Sequence, residues 1–251
     1  ILDGKFLEIN DQVGKEVKQQ EDFKALVEEI KKHIPSFSSE ELKVSLAYEA
    51  DSVVRVESKT NEIAEDVVSA EVLEFTNEAK NVEIIVIAFN MDYGVLTKTK
   101  AIIDTGALDN NFKGFEVIDG EVIEIFSEDG QFVENEKPNL PNNPEYIPGQ
   151  IMEAKANWSI GTWCLRDKAG KFYKHCGPGC GDYNKTGGGT PINKIDECCR
   201  AHDRCWRNFG KGDNCCDKEI EICAARYKSQ DPATYYQIAL YFLPQGALCR
   251  K

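Results

Sequence analysis

The first 150 of the 251 residues contain no cysteine, although the chain holds ten, all between Cys164 and Cys249. Long apolar runs are also missing. None exceeds six residues, as at 84–89, whereas a membrane-spanning helix needs ~20. With 41% hydrophobic and 29% charged residues, the composition excludes collagen, a low-complexity polymer and a largely disordered chain. The chain begins at Ile1 with no basic segment followed by an apolar one. That sets the expectation of a removed targeting segment or a trimmed chain. Positive charge is scarce in residues 1–150, where 14 Lys and Arg face 32 Asp and Glu, a net of −18. Residues 151–251 carry 16 and 11, a net of +5 within the overall −13. So small an excess, without a recognition motif, excludes a nucleic-acid partner.

Two compositions on one chain predict two domains. Pro138, Pro141, Pro144 and Pro148 mark the boundary, since such a segment continues neither a helix nor a central strand. In the acidic half a helix is expected over Asp11–His33, where Val13, Val17, Phe23, Leu26, Val27 and Ile30 are apolar, the last four follow helical spacing, and Pro35 stops it. Ser38 with Glu41 opens a second short helix. β-Branched runs follow at 53–56, 66–75, 82–91 and 95–103. Turns are expected at 92–94, and hairpin turns at Asp119-Gly120 and Asp129-Gly130. This half reads as α+β with an antiparallel sheet. It has no nucleophile–base pair, phosphate loop or metal spacing, and its carboxylates read as a solvated face or as a cover for the basic half.

Ten cysteines within residues 164–249 exceed the density of a disulfide scaffold. The CxxC pairs of structural zinc are missing, and the adjacent cysteines at 198–199 and 215–216 point to different sides of a helix. Disulfides, and hence a secreted or surface-exposed protein, are expected. Residues 175–180 (His-Cys-Gly-Pro-Gly-Cys) have one residue too many for a thioredoxin motif, and no P-loop lysine follows the glycines at 187–189.

Residues 195–209 and 213–227 are helix-length and joined by Gly210-Lys211-Gly212, so they run antiparallel. Cys198 and Cys205 are seven residues apart, as are Cys216 and Cys223. Facing positions in antiparallel helices share a constant sum of residue numbers. Cys198 with Cys223 and Cys205 with Cys216 share the same sum, which predicts two rungs. The same rule sets His202 opposite Glu219, with Asp217 about half a turn away. A carboxylate near His202 makes it a candidate general base. Asp203 projects elsewhere and is free to bind something else. The glycine loop at 175–181 can turn its carbonyls inward, and carbonyls with one carboxylate form a hard oxygen cage suited to calcium.

Cys176-Gly-Pro-Gly, Cys198-Cys199-Arg-Ala-His202-Asp203-Arg-Cys205 and Cys216-Asp217 five residues before Cys223 together resemble the secreted, calcium-dependent phospholipases A2. The likeness covers about residues 158–226 and is similar to the bee-venom-like and plant-like branches. It implies His202 as the base activating water, Asp217 as its orienting carboxylate, and Gly177 N–H in the oxyanion hole. It implies Ca2+ held by Asp203 and the carbonyls of His175, Gly177 and Gly179. It implies the bridges Cys176–Cys199, Cys198–Cys223 and Cys205–Cys216. Cys164, Cys180, Cys215 and Cys249 stay unassigned, Cys164–Cys180 with Cys215–Cys249 being one arrangement. Trp206 stands where the family often has a tyrosine supporting the catalytic aspartate.

Docking on a phospholipid surface is the partner reading, with Trp158, Trp163, Lys171 and Lys174 at the interface. Residues 235–243 form a short apolar helix ending at Pro244. The expected layout is an acidic α+β domain of unassigned role over 1–137, a proline-rich linker over 138–150, and a disulfide-rich, mainly α phospholipase A2-like domain over 151–251. The expected function is sn-2 ester hydrolysis by a secreted enzyme. The alternatives are a non-catalytic binding protein or toxin on that scaffold, or an enzyme kept latent by contact between the acidic and basic halves.

Overall fold

A computed structural model describes residues 1–10, 12–57, 63–132, 137–150 and 162–249. Among them, seven strands form one antiparallel sheet whose order follows the chain. They are β1 (Asp3–Phe6), β2 (Lys43–Glu57), β3 (Ile63–Thr76), β4 (Val82–Met91), β5 (Gly94–Asp104), β6 (Phe112–Ile118) and β7 (Glu121–Glu128). Helix α1 (Glu21–His33) lies between β1 and β2, and α2 (Lys194–Phe209), α3 (Asn214–Arg226) and α4 (Pro232–Gly246) follow the sheet.

Side chains of a strand alternate between faces, and here both faces are covered. Phe23, Leu26, Val27 and Ile30 of α1 pack on Leu73, Phe75, Ile84 and Val86. On the opposite face, Val72, Ile85, Ile87 and Phe89 share a core with Ile220, Ala224, Tyr235, Tyr236 and Leu240 of α3 and α4. Double coverage explains why β4 reads as an unbroken apolar run rather than an alternating one. The acidic sheet half and the cysteine-rich helical half therefore keep the expected order and meet over a common core.

That second face also carries buried charge. Lys228 donates to Glu74 at 2.6 Å and Glu83 at 3.0 Å, and the Tyr236 hydroxyl donates to Glu74 at 2.5 Å. Lys100 pairs with Glu221 and with Glu116, the latter at 3.7 Å. Burial alone would expel such charges, so pairing is what permits them.

Several elements depart from the sequence expectation. Ahead of α1 there is only a 3-10 turn at Val17–Gln19, and Gly14 at φ 82° separates it from what precedes. Ser38 caps a 3-10 turn at Ser39–Glu41 rather than an α-helix. Asp119-Gly120 does join β6 to β7, but Asp129-Gly130 is no hairpin turn. It follows the last strand and bonds back to Asn110 and Asn111. Helix α4 passes through Pro244 instead of stopping there. In the last turn a proline removes a single N–H bond, and the burial of Leu243, Pro244 and Gln245 outweighs that loss. The proline-rich segment is strapped to the sheet edge. Asn143 N–H donates to the Gly4 carbonyl, the Tyr48 hydroxyl to the Pro141 carbonyl, and the Tyr146 hydroxyl to Asp51.

Candidate active site

Helices α2 and α3 are started by side chains that satisfy their free N–H groups. Asn193 accepts from Asp196 N–H, and Asp213 accepts from the N–H groups of Cys215 and Cys216. Cys198–Cys223 and Cys205–Cys216 staple the pair in the register that the cysteine spacing predicts. Cys176–Cys199 ties the glycine loop to α2, as the family resemblance implies. The remaining four cysteines form Cys164–Cys180 and Cys215–Cys249, leaving no free thiol.

Inside this frame His202 Nε2 lies 3.0 Å from Asp217 Oδ1, and both side chains are buried. A carboxylate only accepts here, so Nε2 carries the proton and Nδ1 keeps a free lone pair. Trp206 Nε1 donates to the same Oδ1 at 3.0 Å. Glu219, which the simple register sets opposite His202, is exposed. The helices are rotated so that the face bearing Asp217 points inward.

The glycine loop is held by a residue that the sequence reading passed over. Asp196, fully buried in the first turn of α2, accepts from the N–H groups of Lys174, His175, Cys176 and Ile192. Its only sequence signal is an acidic residue in a helix's first turn, which by itself reads as ordinary capping. Two loop glycines are required by space. A Cβ on Gly177, at φ 130°, would meet the Trp163 carbonyl, and one on Gly181, at φ 137°, would meet Asp203 Oδ2.

Of the chain, 41 residues (16%) are 44% identical to the acidic phospholipase A2 homolog taipoxin gamma chain of Oxyuranus scutellatus scutellatus, covering 22% of that protein. The C-terminal region is phospholipase A2-like. The chain thus spans about a fifth of that relative's length. No family model and no solved structure matches it.

In this phospholipase A2-like region, His202, Asp203, His175, Gly177 and Gly179 line one cleft of about 1110 Å³. Asp203 Oδ2 and His175 Nδ1 are 3.8 Å apart, both buried, and neither has a hydrogen-bond partner among the described residues. His175 Nε2 faces the Gly189 carbonyl at 2.9 Å, so in the neutral ring that nitrogen carries the proton and Nδ1 is an acceptor. Burial, reinforced by the charges of Asp182 and Asp196, pushes the Asp203 carboxyl up to about 7. An unpaired carboxylate beside a glycine loop and a second acceptor fits a bound cation. Among the described residues no three His, Cys, Asp or Glu side chains converge as a metal site, so a cation there would draw on main-chain oxygens.

Trp163 lines the cleft and is 43% exposed, and Lys171 and Lys174 are exposed. Trp158 lies outside the described residues. The far wall comes from elsewhere in the chain: Val53 and Glu65 of the sheet, and Tyr241 and Phe242 of α4. Tyr241 donates to Glu65 at 2.9 Å. Arg55 of β2 also reaches the dyad, its Nη2 2.6 Å from Asp217 Oδ2. Sequence reasoning missed Arg55 because its partner is distant in the chain and a strand arginine carries no local signal.

Proposed function

We propose that the chain is a secreted calcium-dependent phospholipase A2 that hydrolyses the sn-2 ester of glycerophospholipids to a fatty acid and a lysophospholipid. The observation that carries this reading is that His202, bonded to Asp217, and Asp203, whose Oδ2 has no hydrogen-bond partner among the described residues, line one cleft. Five disulfides support an extracellular setting.

His202 Nδ1 takes a proton from water as that water attacks the ester carbonyl. Asp217 holds the ring in the required tautomer and stabilises the imidazolium that forms. His202 then returns the proton to the leaving alkoxide, with no acyl-enzyme. Asp203 with the carbonyls of His175, Gly177 and Gly179 would hold calcium, which polarises the ester carbonyl and offsets charge on the oxyanion. Gly177 N–H adds a donor to that oxyanion. Trp163, Lys171 and Lys174 suit contact with an anionic phospholipid surface.

The test is fatty-acid release from mixed phospholipid vesicles, with calcium or with a chelator, for the native chain, His202→Gln and Asp203→Asn. Release that needs calcium and disappears in both variants is expected. Calcium-independent release, or release surviving His202→Gln, refutes the mechanism. Absence of release from the oxidised native chain favours the non-catalytic reading. A latent enzyme is the second reading, favoured by sheet residues in the cleft wall. Cutting within 138–148 then raises release at low salt.

A further inference from the structure

The dyad belongs to α2 and α3, but the helical half does not hold both oxygens of its carboxylate. Asp217 is fully buried. Its Oδ1 receives His202 Nε2 and Trp206 Nε1, both at 3.0 Å. Oδ2 accepts no hydrogen bond among the described residues and is met by charge alone: Arg55 Nη2 lies 2.6 Å away, and that same nitrogen donates to Asn214 Oδ1 at 2.9 Å. The guanidinium sits 5.6 Å from the centre of the Trp206 ring. Arg55 is itself only 5% exposed. One cation from β2 therefore touches the carboxylate, the start of α3 and the indole that supports the carboxylate.

We infer that Arg55 is a positioning residue for hydrolysis, by which the acidic N-terminal sheet completes the active site of the helical half. The role rests on the phospholipase reading. A carboxylate with donors on one oxygen only can rotate about χ2 and exchange its oxygens. The Arg55 charge beside Oδ2 favours the rotation that keeps Oδ1 on His202. It also offsets the charge of the fully buried Asp217 carboxylate. A misaligned base is costly even when the substrate still binds.

The experiment uses the full, oxidised chain and a short-chain phosphatidylcholine below its micelle concentration, with saturating calcium. The variants are Arg55→Met, Arg55→Lys and, as control, Lys43→Met, which removes an exposed pair with Glu78 at the other end of β2. Arg55→Met is expected to lower kcat by on the order of 100-fold with KM within about twofold. Arg55→Lys, which keeps the charge but not the Nη2 bridge between Asp217 and Asn214, recovers about a tenth of native kcat. The Trp206 indole N–H resonance moves in Arg55→Met and stays in Lys43→Met, a readout that needs no turnover.

Native kcat in Arg55→Met, or an equal rise in KM without loss of kcat, overturns the positioning role. So does an unmoved indole resonance. Should Arg55→Met fail to fold, Arg55→Lys decides: native kcat and an unmoved indole overturn the role, and a tenfold loss at constant KM upholds it. A native chain that releases no fatty acid overturns the phospholipase reading and the catalytic role with it. Native release with unchanged kcat in both arginine variants overturns the role of Arg55 alone.

Discussion

Lys228 offers a severe test of how the sheet and helices are joined. Its ammonium is 2% exposed and lies between Glu74 and Glu83, themselves 5% and 1% exposed. Lys228→Met keeps the length of the side chain and leaves two carboxylates buried without their cation. Breaking a buried pair in this way costs roughly 3–5 kcal/mol. At ~2–4 °C per kcal/mol for a chain of this size, the midpoint of thermal unfolding falls by about 6–20 °C.

The deficit depends on pH in a definite direction. In the native chain burial works to raise Glu74, but the Lys228 charge and hydrogen bonds from Lys228, Tyr236 and Ser45 leave it below its ordinary 4.5. Its contribution is present above pH 4.5 and disappears as pH falls through the lower folded value. Burial works to lower Lys228, but Glu74 and Glu83 leave it above 10.5, so its contribution holds below that pH and disappears above the folded value. Without the lysine, the burial that works to raise Glu74 loses its main opponent, and the folded Glu74 carboxyl binds protons more tightly than the unfolded one. Stability of the variant then falls as pH rises above about 4.5. Urea unfolding at pH 5 and pH 8 is the assay, with the larger deficit expected at pH 8. Lys228→Met combined with Glu74→Gln and Glu83→Gln recovers most of the loss. A midpoint shift below about 2 °C, or a deficit that grows toward pH 5, would refute the reasoning.

Three further outcomes concern the cleft. Calcium stabilises the native chain by about 2.7 kcal/mol at a hundredfold excess over Kd, which raises its unfolding temperature in differential scanning fluorimetry, and does nothing for Asp203→Asn. Asp196→Asn turns an acceptor of four loop N–H groups into a partial donor. It costs about 1–3 kcal/mol and speeds hydrogen exchange at Lys174, His175 and Cys176 ahead of the helices. Gly181→Ala drives a methyl toward Asp203 Oδ2 from a left-handed backbone. It costs about 1–3 kcal/mol of local strain and abolishes the calcium-dependent rise, with the far-ultraviolet spectrum unchanged.

What could be read in advance follows from how local each signal is. The runs at 53–56, 66–75, 82–91 and 95–103 fall within β2 to β5 because β-branched stretches are contiguous, whereas β1, β6, β7 and the first ten residues of β2 carried no such run; Asp92-Tyr93 and Asp119-Gly120 fell between strands, with Gly94 opening β5. The rungs between α2 and α3 were legible because a seven-residue spacing repeats on both helices. His202 with Asp217 was legible to within half a turn, the remainder being the rotation of α3 about its axis. Asp129-Gly130 has a turn composition, but its groups are claimed by Asn110 and Asn111. The continuous core was hidden because an amphipathic face reveals that it is covered, not by what. Arg55, Glu74 and Glu83 read as members of a charged half whose carboxylates face solvent. Only the fold brings them against α3 and α4.

The buried ionic layer also limits how this chain can change by descent. Lys228, Glu74, Glu83 and Tyr236 meet in one patch contributed by sheet and helices, and Arg55 ties a strand to Asp217. A substitution at any one of them strands a partner inherited from the other half. Grafting a foreign sheet onto these helices would need the whole set exchanged at once. The two halves are accordingly bound to travel through evolution together, as lock and key cut from the same blank.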